Sequence, residues 1–189
     1  MTVCTNPLER GRVTVKENNV ILILCLTLVA VFLMSGISYP FAQKDLDKLE
    51  AKKECVWCDL QNADLAGAQL AGANLSGTNL SGANLSRANL SDANLLSARL
   101  FRTNLSGTNL SSAYLHAANF RDANLSNANL SRANLSGANL SYATLSGADL
   151  SGADLSGALW TDGTKCGEGS TGECKKEVRP GGGPGPFPF

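Results

Sequence analysis

Histidine is nearly absent from this 189-residue chain, and its scarcity excludes the commonest catalytic and metal-binding arrangements. His116 is the single histidine, so no second imidazole can complete a zinc site or a nucleophile–base pair. A glycine-rich phosphate loop is also lacking, because the glycines recur at a short fixed spacing instead of standing between a strand and a helix. We therefore expect a protein that is not an enzyme, with no catalytic residues, no bound metal and no other cofactor.

The central part of the chain lacks both the helical and the strand periodicity. Leu or Phe occupies every fifth position from Leu60 to Leu155, twenty times in succession. On an α-helix, five residues turn about 140° beyond a full circle, and on a strand an odd period sends successive side chains to opposite faces. A chain that turns a corner every five residues can bury all of them along one axis. The period therefore predicts an all-β solenoid.

The other positions of the repeat agree with this prediction. Two residues before each of these core positions stands Ala in sixteen of twenty cases, which indicates an inward-facing site with room for a small side chain. The residue directly before the core position is Asn twelve times and Asp four times, and the residue after it is usually Ser. We expect these polar residues to face outward and to stabilise turns, since their side chains bind nearby backbone groups.

Blocks such as GANLSGTNLSGANLSRANL (Gly72 to Leu90) resemble the pentapeptide-repeat family, whose motif is Ala-Asp/Asn-Leu-Xaa-Xaa. The resemblance covers residues 58–162. It implies a right-handed quadrilateral β-helix with four pentapeptides per coil, so that the twenty repeats would form about five coils. At a strand spacing of about 4.8 Å, such a rod is roughly 24 Å long.

An apolar segment near the start of the chain predicts export. Val20 to Tyr39 contains no charged residue and is preceded by Arg10, Arg12 and Lys16. Residues 1–39 are therefore interpreted as a signal peptide or as a membrane anchor that forms an apolar helix, and both alternatives stay open. We expect a periplasmic protein, or one anchored in the inner membrane through residues 20–39, with its solenoid outside the cytoplasm.

The cysteines support export, because four of them remain after the leader and an even number suits an oxidising compartment. One pair lies at each end of the expected rod, about 24 Å apart, which excludes a shared zinc site and disulfides between the pairs. We predict two local disulfides, Cys55 with Cys58 and Cys166 with Cys174. A thioredoxin-like redox motif at Cys55–Cys58 is the alternative, but the sequence around it predicts no βαβ unit.

Three further segments flank the repeats. Residues 40–57 are expected to form a short helical linker and N-terminal cap, because Leu46 and Leu49 stand at helical spacing among charged residues. Residues 163–178 are expected to form a cysteine-bearing C-terminal cap. Residues 179–189 form a Pro/Gly-rich tail whose composition predicts disorder.

Departures from the repeat consensus predict one interaction surface. Since residues twenty apart should stack, most of these departures fall on the face of Leu100 and Phe120 and on the neighbouring face of Leu95 and Leu115. A mixture of aromatic residues and arginines is typical of interaction hot spots. We call this set the candidate patch, and it comprises Leu96, Arg99, Phe101, Arg102, Tyr114, His116, Arg121, Asp122 and Tyr142. The alternative is neutral variation on a tolerant surface, with Arg102 and Asp122 forming only an ion pair between coils.

The resemblance also suggests a function to be tested against charge. It includes quinolone-resistance proteins, whose acidic rods imitate DNA and bind type II topoisomerases. A 24 Å mimic needs on the order of 14 negative charges, whereas residues 58–162 hold seven Asp against five Arg. We therefore expect a cell-envelope scaffold or protein-binding module with an unknown envelope partner and no contact with nucleic acid. A purely structural spacer is the alternative, and a DNA mimic is the least favoured one.

Overall fold

The structure is a computed structural model that describes residues 43–176. Helix α1 (Gln43–Lys52) is the only helix in this range. The β-structure of the same residues consists of isolated bridges. The predicted leader (1–39) and tail (179–189) lie outside the described residues. Over residues 43–176, no helix has the length and apolar character needed to cross a membrane.

Helix α1 lies within the segment expected to be a helical linker and closes the N-terminal end of the solenoid. Leu46 and Leu49 are fully buried, so the helix packs its apolar side on the first coil. Asp45 in the first turn and Lys52 in the last turn complement the helix dipole. Lys53 follows with a left-handed backbone (φ 54°), a conformation that commonly ends a helix.

The solenoid is held together by parallel bridges between residues twenty apart. Eighteen such bridges run without interruption from Glu54↔Asn74 to Asn139↔Leu159. The predicted stacking of positions twenty apart is therefore confirmed. On each face, two N–H groups of one coil donate to the next coil and one carbonyl accepts from it. In the first complete face, Leu60 N–H donates to Asn79 O at 2.8 Å, Asn62 N–H to Ser81 O at 2.9 Å, and Cys58 O accepts from Asn79 N–H at 2.9 Å.

The interior is filled by the core leucines and the small residues two positions before them. From Leu60 to Leu140 the core positions, including Phe120, are at most 4% exposed. The threonines in the alanine column are also fully buried, and their hydroxyls donate to backbone carbonyls. Thr103 Oγ1 lies 2.8 Å from Leu80 O, and Thr108 Oγ1 lies 2.7 Å from Leu85 O. The expectation of a small, inward-facing position is confirmed, and a hydroxyl is accepted there because it finds a hydrogen-bond partner.

Each corner is a β-turn whose third residue has a left-handed backbone, a conformation that favours Gly or Asn. The asparagine before each core leucine supports the corner, as expected from the sequence. Asn79 Oδ1, for example, accepts from the N–H of Ser81 at 3.2 Å. Asparagines also bind one another between coils, where Asn104 Nδ2 donates to Asn84 Oδ1 at 3.2 Å.

Both ends of the solenoid carry a disulfide, in the pairing that the sequence predicts. Cys55 and Cys58 are bonded with their Cα atoms 5.2 Å apart, and Cys166 and Cys174 with theirs 5.0 Å apart. The second bond lies in a cap that doubles back on the last coil through antiparallel bridges. These bridges are Asp154↔Thr171, Leu159↔Lys165 and Cys166↔Lys176.

Candidate interaction surface

The coil register brings the predicted patch residues together on two neighbouring faces. The N–H of Arg102 donates to the carbonyl of Arg121 at 3.1 Å, so Phe101 and Arg102 lie beside the next coil at Arg121. On the adjoining face, Ser97 N–H donates to His116 O at 3.0 Å, which places Leu96 next to His116. The patch is therefore continuous across coils.

Two arginines of the patch lie over aromatic rings. The guanidinium carbon of Arg102 lies 4.7 Å from the ring centroid of Phe101, and that of Arg121 lies 5.6 Å from the ring centroid of Tyr142 in the following coil. Both contacts are cation–π interactions. Stacking against a ring restricts the guanidinium plane while its N–H edge can still bind a carboxylate.

The ion pair suggested between Arg102 and Asp122 is wrong. Asp122 Oδ2 lies instead 3.7 Å from Nε of its sequence neighbour Arg121, while Arg102 turns back onto Phe101. The Arg121–Asp122 pair adds little stability, because the side chains are 55% and 32% exposed and water screens their attraction. Among the described residues, Arg99 and Arg102 have no carboxylate partner, so the patch keeps unpaired positive charge.

Trp57 is a member of this surface that sequence reasoning missed. Its side chain is 76% exposed, more than Tyr142 (68%), Tyr114 (59%) or Leu96 (42%). Trp57 stands forty residues before Ser97 and therefore lies on the same face as Leu96, two coils away. We had assigned it to the N-terminal cap, but adding twice the coil period to its number would have identified its face. The candidate patch with Trp57 is called the extended patch below.

His116 shows no arrangement that would support catalysis. Its ring is exposed, and Nδ1 lies 2.8 Å from Ser136 Oγ in the next coil. Within residues 43–176, no group of three or more His, Cys, Asp or Glu side chains is placed to hold a metal ion. The only contact found for His116 is thus with a polar side chain of the solenoid surface.

The acidic residues near the C-terminal end have local hydrogen-bond partners. Hydrogen bonds from the hydroxyl and the N–H of Ser151 lower the pKa of Asp149, and those of Ser156 lower the pKa of Asp154. Each carboxylate thus replaces the usual asparagine in supporting its own corner. These residues resemble the rest of the repeat and do not form a second patch.

The Cys55–Cys58 disulfide is shielded from solvent. Cys55 is fully buried and Cys58 is 5% exposed, beneath α1 and the first coil. A redox-active disulfide must be accessible to an attacking thiolate. Its position therefore favours the structural interpretation over the thioredoxin-like one.

Family comparison decides the classification of the repeat. The family model for pentapeptide repeats matches residues 58–95, 79–116, 93–132 and 118–157, in eight copies. The chain belongs to the pentapeptide-repeat family. Proteins of this family fold as right-handed quadrilateral β-helices and are generally non-enzymatic binding or structural proteins.

Solved structures of other family members are similar to this pentapeptide-repeat protein. A thylakoid-lumen protein of Arabidopsis thaliana is 27% identical over 74% of this chain and 92% of its own, with a TM-score of 0.42. HetL, involved in heterocyst differentiation regulation in the cyanobacterium Nostoc, is 34% identical over 59% of this chain and 68% of its own, with a TM-score of 0.24.

A third similar structure is that of QnrB1, a plasmid-mediated fluoroquinolone resistance protein. It is 27% identical over 56% of this chain and 61% of its own, with a TM-score of 0.33. No curated protein shows significant sequence similarity to the chain. The classification therefore depends on the repeat itself.

Proposed function

We propose that this pentapeptide-repeat protein is a protein-binding scaffold of the cell envelope that contacts its partner through the extended patch. The proposal includes a solenoid of about five coils and an apolar helix within residues 20–39 that directs or anchors the protein. The first part is supported by the uninterrupted bridges between residues twenty apart. The second is supported by the uncharged sequence from Val20 to Tyr39.

The observation that carries the binding function is the concentration of exposed aromatic and arginine side chains on two neighbouring faces. The other two faces present mainly Asn, Ser and Gly, with Arg87, Asp92 and Arg132 as isolated charges. Large aromatic side chains and arginines contribute most of the binding energy in protein interfaces. Holding such side chains exposed has no benefit for the fold, because none of them enters the core.

The charge of the patch indicates a partner surface that carries carboxylates. Arg99, Arg102 and Arg121 are exposed, and the single acidic residue among them is Asp122. Because the rings of Phe101 and Tyr142 already restrict two of the guanidinium groups, less side-chain entropy is lost when they bind. A carboxylate between them would form charge-assisted hydrogen bonds.

The envelope location is supported by the two disulfides together with the leader sequence. Disulfides persist in oxidising compartments and are rare in the cytosol. This location also disfavours DNA mimicry, which in addition requires far more negative charge than residues 58–162 carry.

Capture from envelope extract tests the proposal. The bait is the tagged full chain, compared with a double variant, Phe101→Ser with Tyr114→Ser, that removes two exposed rings without touching the core. The matched control is Arg87→Ser with Arg132→Ser, which changes two exposed side chains on the other faces. We expect the double patch variant to lose a captured protein that the wild type and the control variant retain.

A spacer without a partner predicts the opposite result. All three baits would then capture the same proteins, and the binding proposal would be rejected. Circular dichroism and the melting temperature of each bait verify that the variants are folded. Adding Trp57→Ser as a third bait tests whether the first coil belongs to the binding surface.

A further inference from the structure

The C-terminal cap covers only two of the four faces at the end of the solenoid. The N–H of Leu155 donates to Ser170 O at 2.8 Å, and the N–H of Trp160 donates to Thr164 O at 2.7 Å. Beyond the faces of Leu145 and Leu150, residues 43–176 supply no further coil. The last coil is therefore half capped.

The two uncovered faces expose core residues. Leu145, Ala148 and Leu150 are only partly buried. One coil earlier, Leu125 and Leu130 stand at the equivalent positions and are fully buried. The uncovered half of the end therefore presents apolar surface that every inner coil hides.

The same faces end in an excess of hydrogen-bond donors. In the coil before, Leu125 N–H donates to Thr144 O at 2.8 Å, Asn127 N–H donates to Ser146 O at 2.9 Å, and only Ala123 O accepts, from Thr144 N–H at 2.9 Å. Each face thus requires two acceptors and one donor from whatever follows it. We call the two uncovered faces the C-terminal edge.

Its four backbone N–H groups and two carbonyls have no hydrogen-bond partner among residues 43–176. The donors are those of Leu145, Gly147, Leu150 and Gly152, and the acceptors are those of Ala143 and Ala148. A segment that fits this edge should be extended and apolar, and it should offer more carbonyls than N–H groups.

We propose that residues 177–189, the C-terminal tail of the same chain, bind the C-terminal edge. Four of these thirteen residues are proline, which supplies a carbonyl acceptor without an N–H donor. Phe187 and Phe189 alternate with the last prolines and can cover the half-exposed leucines. The composition that makes the tail a poor core former thus matches an edge that is rich in donors.

The tail starts at the correct end and is long enough. The described chain finishes at Lys176, which bridges to Cys166 in the cap over the other half of the same end. Thirteen extended residues reach up to about 43 Å, which exceeds even the length of the whole rod, about 24 Å.

A second copy of the chain is a poorer match for this edge. Two identical edges would bring four donors and two acceptors each, so half of the donors would stay unpaired. A tail bound within the chain also avoids the entropy lost when two molecules associate.

Amide hydrogen exchange on the full chain and on a chain ended after Lys176 tests this proposal. We expect the amides of Leu145, Gly147 and Leu150 to exchange about tenfold or more slowly in the full chain than in the shortened one. The amides of Leu125, Asn127 and Leu130 are the internal control, since their partners are present in both chains. A full chain carrying Phe187→Ser with Phe189→Ser should lose most of the protection, and a synthetic peptide of residues 177–189 should restore it to the shortened chain.

The remaining outcomes overturn the proposal. Equal exchange at the edge in both chains would show that the tail does not bind there. Protection that survives removal of the tail and grows with protein concentration would assign the edge to a second copy. Faster exchange of the control amides would reveal general unfolding, in which case the peptide titration on the folded fraction decides.

Discussion

The indole ring of Trp57 lies across Gly77, one coil further along the solenoid. A Cβ atom built on Gly77 would stand 2.6 Å from Cδ2 of the indole, which is closer than real contacts allow. Gly77 is therefore buried although its turn faces outward. The contact holds the most exposed aromatic ring of the extended patch against the rod.

This contact predicts the effect of Gly77→Ala. The substitution places a side chain at φ +66° and under the indole, whereas Gly67→Ala imposes similar backbone strain (φ +69°) with no atom within 4 Å. We expect Gly67→Ala to lower the free energy of unfolding by about 1 kcal/mol, and Gly77→Ala to lower it by about 1 kcal/mol more. Chemical denaturation measures both. In a Trp57→Ser background the two costs should become equal, and persistence of the difference would contradict the role of the ring.

Left-handed corner residues other than glycine predict simple stabilising changes. Ser112 has φ 57° and Asn127 also has φ 57°, yet asparagine tolerates this conformation better than serine. Replacing Ser112 by Gly should raise the free energy of unfolding by up to about 1 kcal/mol. Asn127→Gly, the matched control, should change it by less. Equal gains at both positions would show that the strain does not depend on the residue type.

The cap contains an acid–hydroxyl contact with a defined pH dependence. Hydrogen bonds from Thr164 and then from Lys176 hold the pKa of Asp162 well below its ordinary value of 3.8. A lowered folded-state pKa stabilises the cap at pH values above 3.8, and this contribution is lost as the pH falls below it.

Titration of the Asp162 carboxyl carbon by NMR tests the order of these causes. Thr164→Val should raise the pKa of Asp162 further toward 3.8 than Lys176→Met does, because the Thr164 hydroxyl at 2.6 Å is the larger cause. The reverse order would show that the charge of Lys176 dominates.

The two disulfides should differ in their accessibility to a thiol reductant. Cys174 is partly exposed, whereas Cys55 and Cys58 are both buried. Under native conditions we therefore expect Cys166–Cys174 to be reduced and alkylated first, as followed by mass mapping. The same treatment in denaturant should remove the difference. Preferential reduction of Cys55–Cys58 in the native protein would support the redox interpretation that its burial disfavours.

Much of the fold could be predicted because the repeat is local. Each five-residue unit contains its own core residue, its small inward residue and its turn, so the period alone predicts the solenoid and the stacking of residues twenty apart. The two disulfides could be predicted for the same reason, since each joins cysteines that are near neighbours in sequence.

The details of the surface could not be predicted from the period. Arg102 and Asp122 stand one coil apart and suggested an ion pair, but the ring of Phe101 attracts the guanidinium of Arg102. Trp57 was assigned to the cap because it precedes the first regular repeat, although the first bridged coil already includes its neighbours.

The sequence by itself determined the period, and with it the solenoid, its buried columns and the column in which each side chain stands, because these follow from five-residue units that repeat without insertion. Only the tertiary structure decided how exposed side chains rotate toward one another and where the last coil is left uncovered. The physical reason is that side-chain partners and edge hydrogen bonds depend on atoms from different coils and from the caps, whose positions no single repeat specifies.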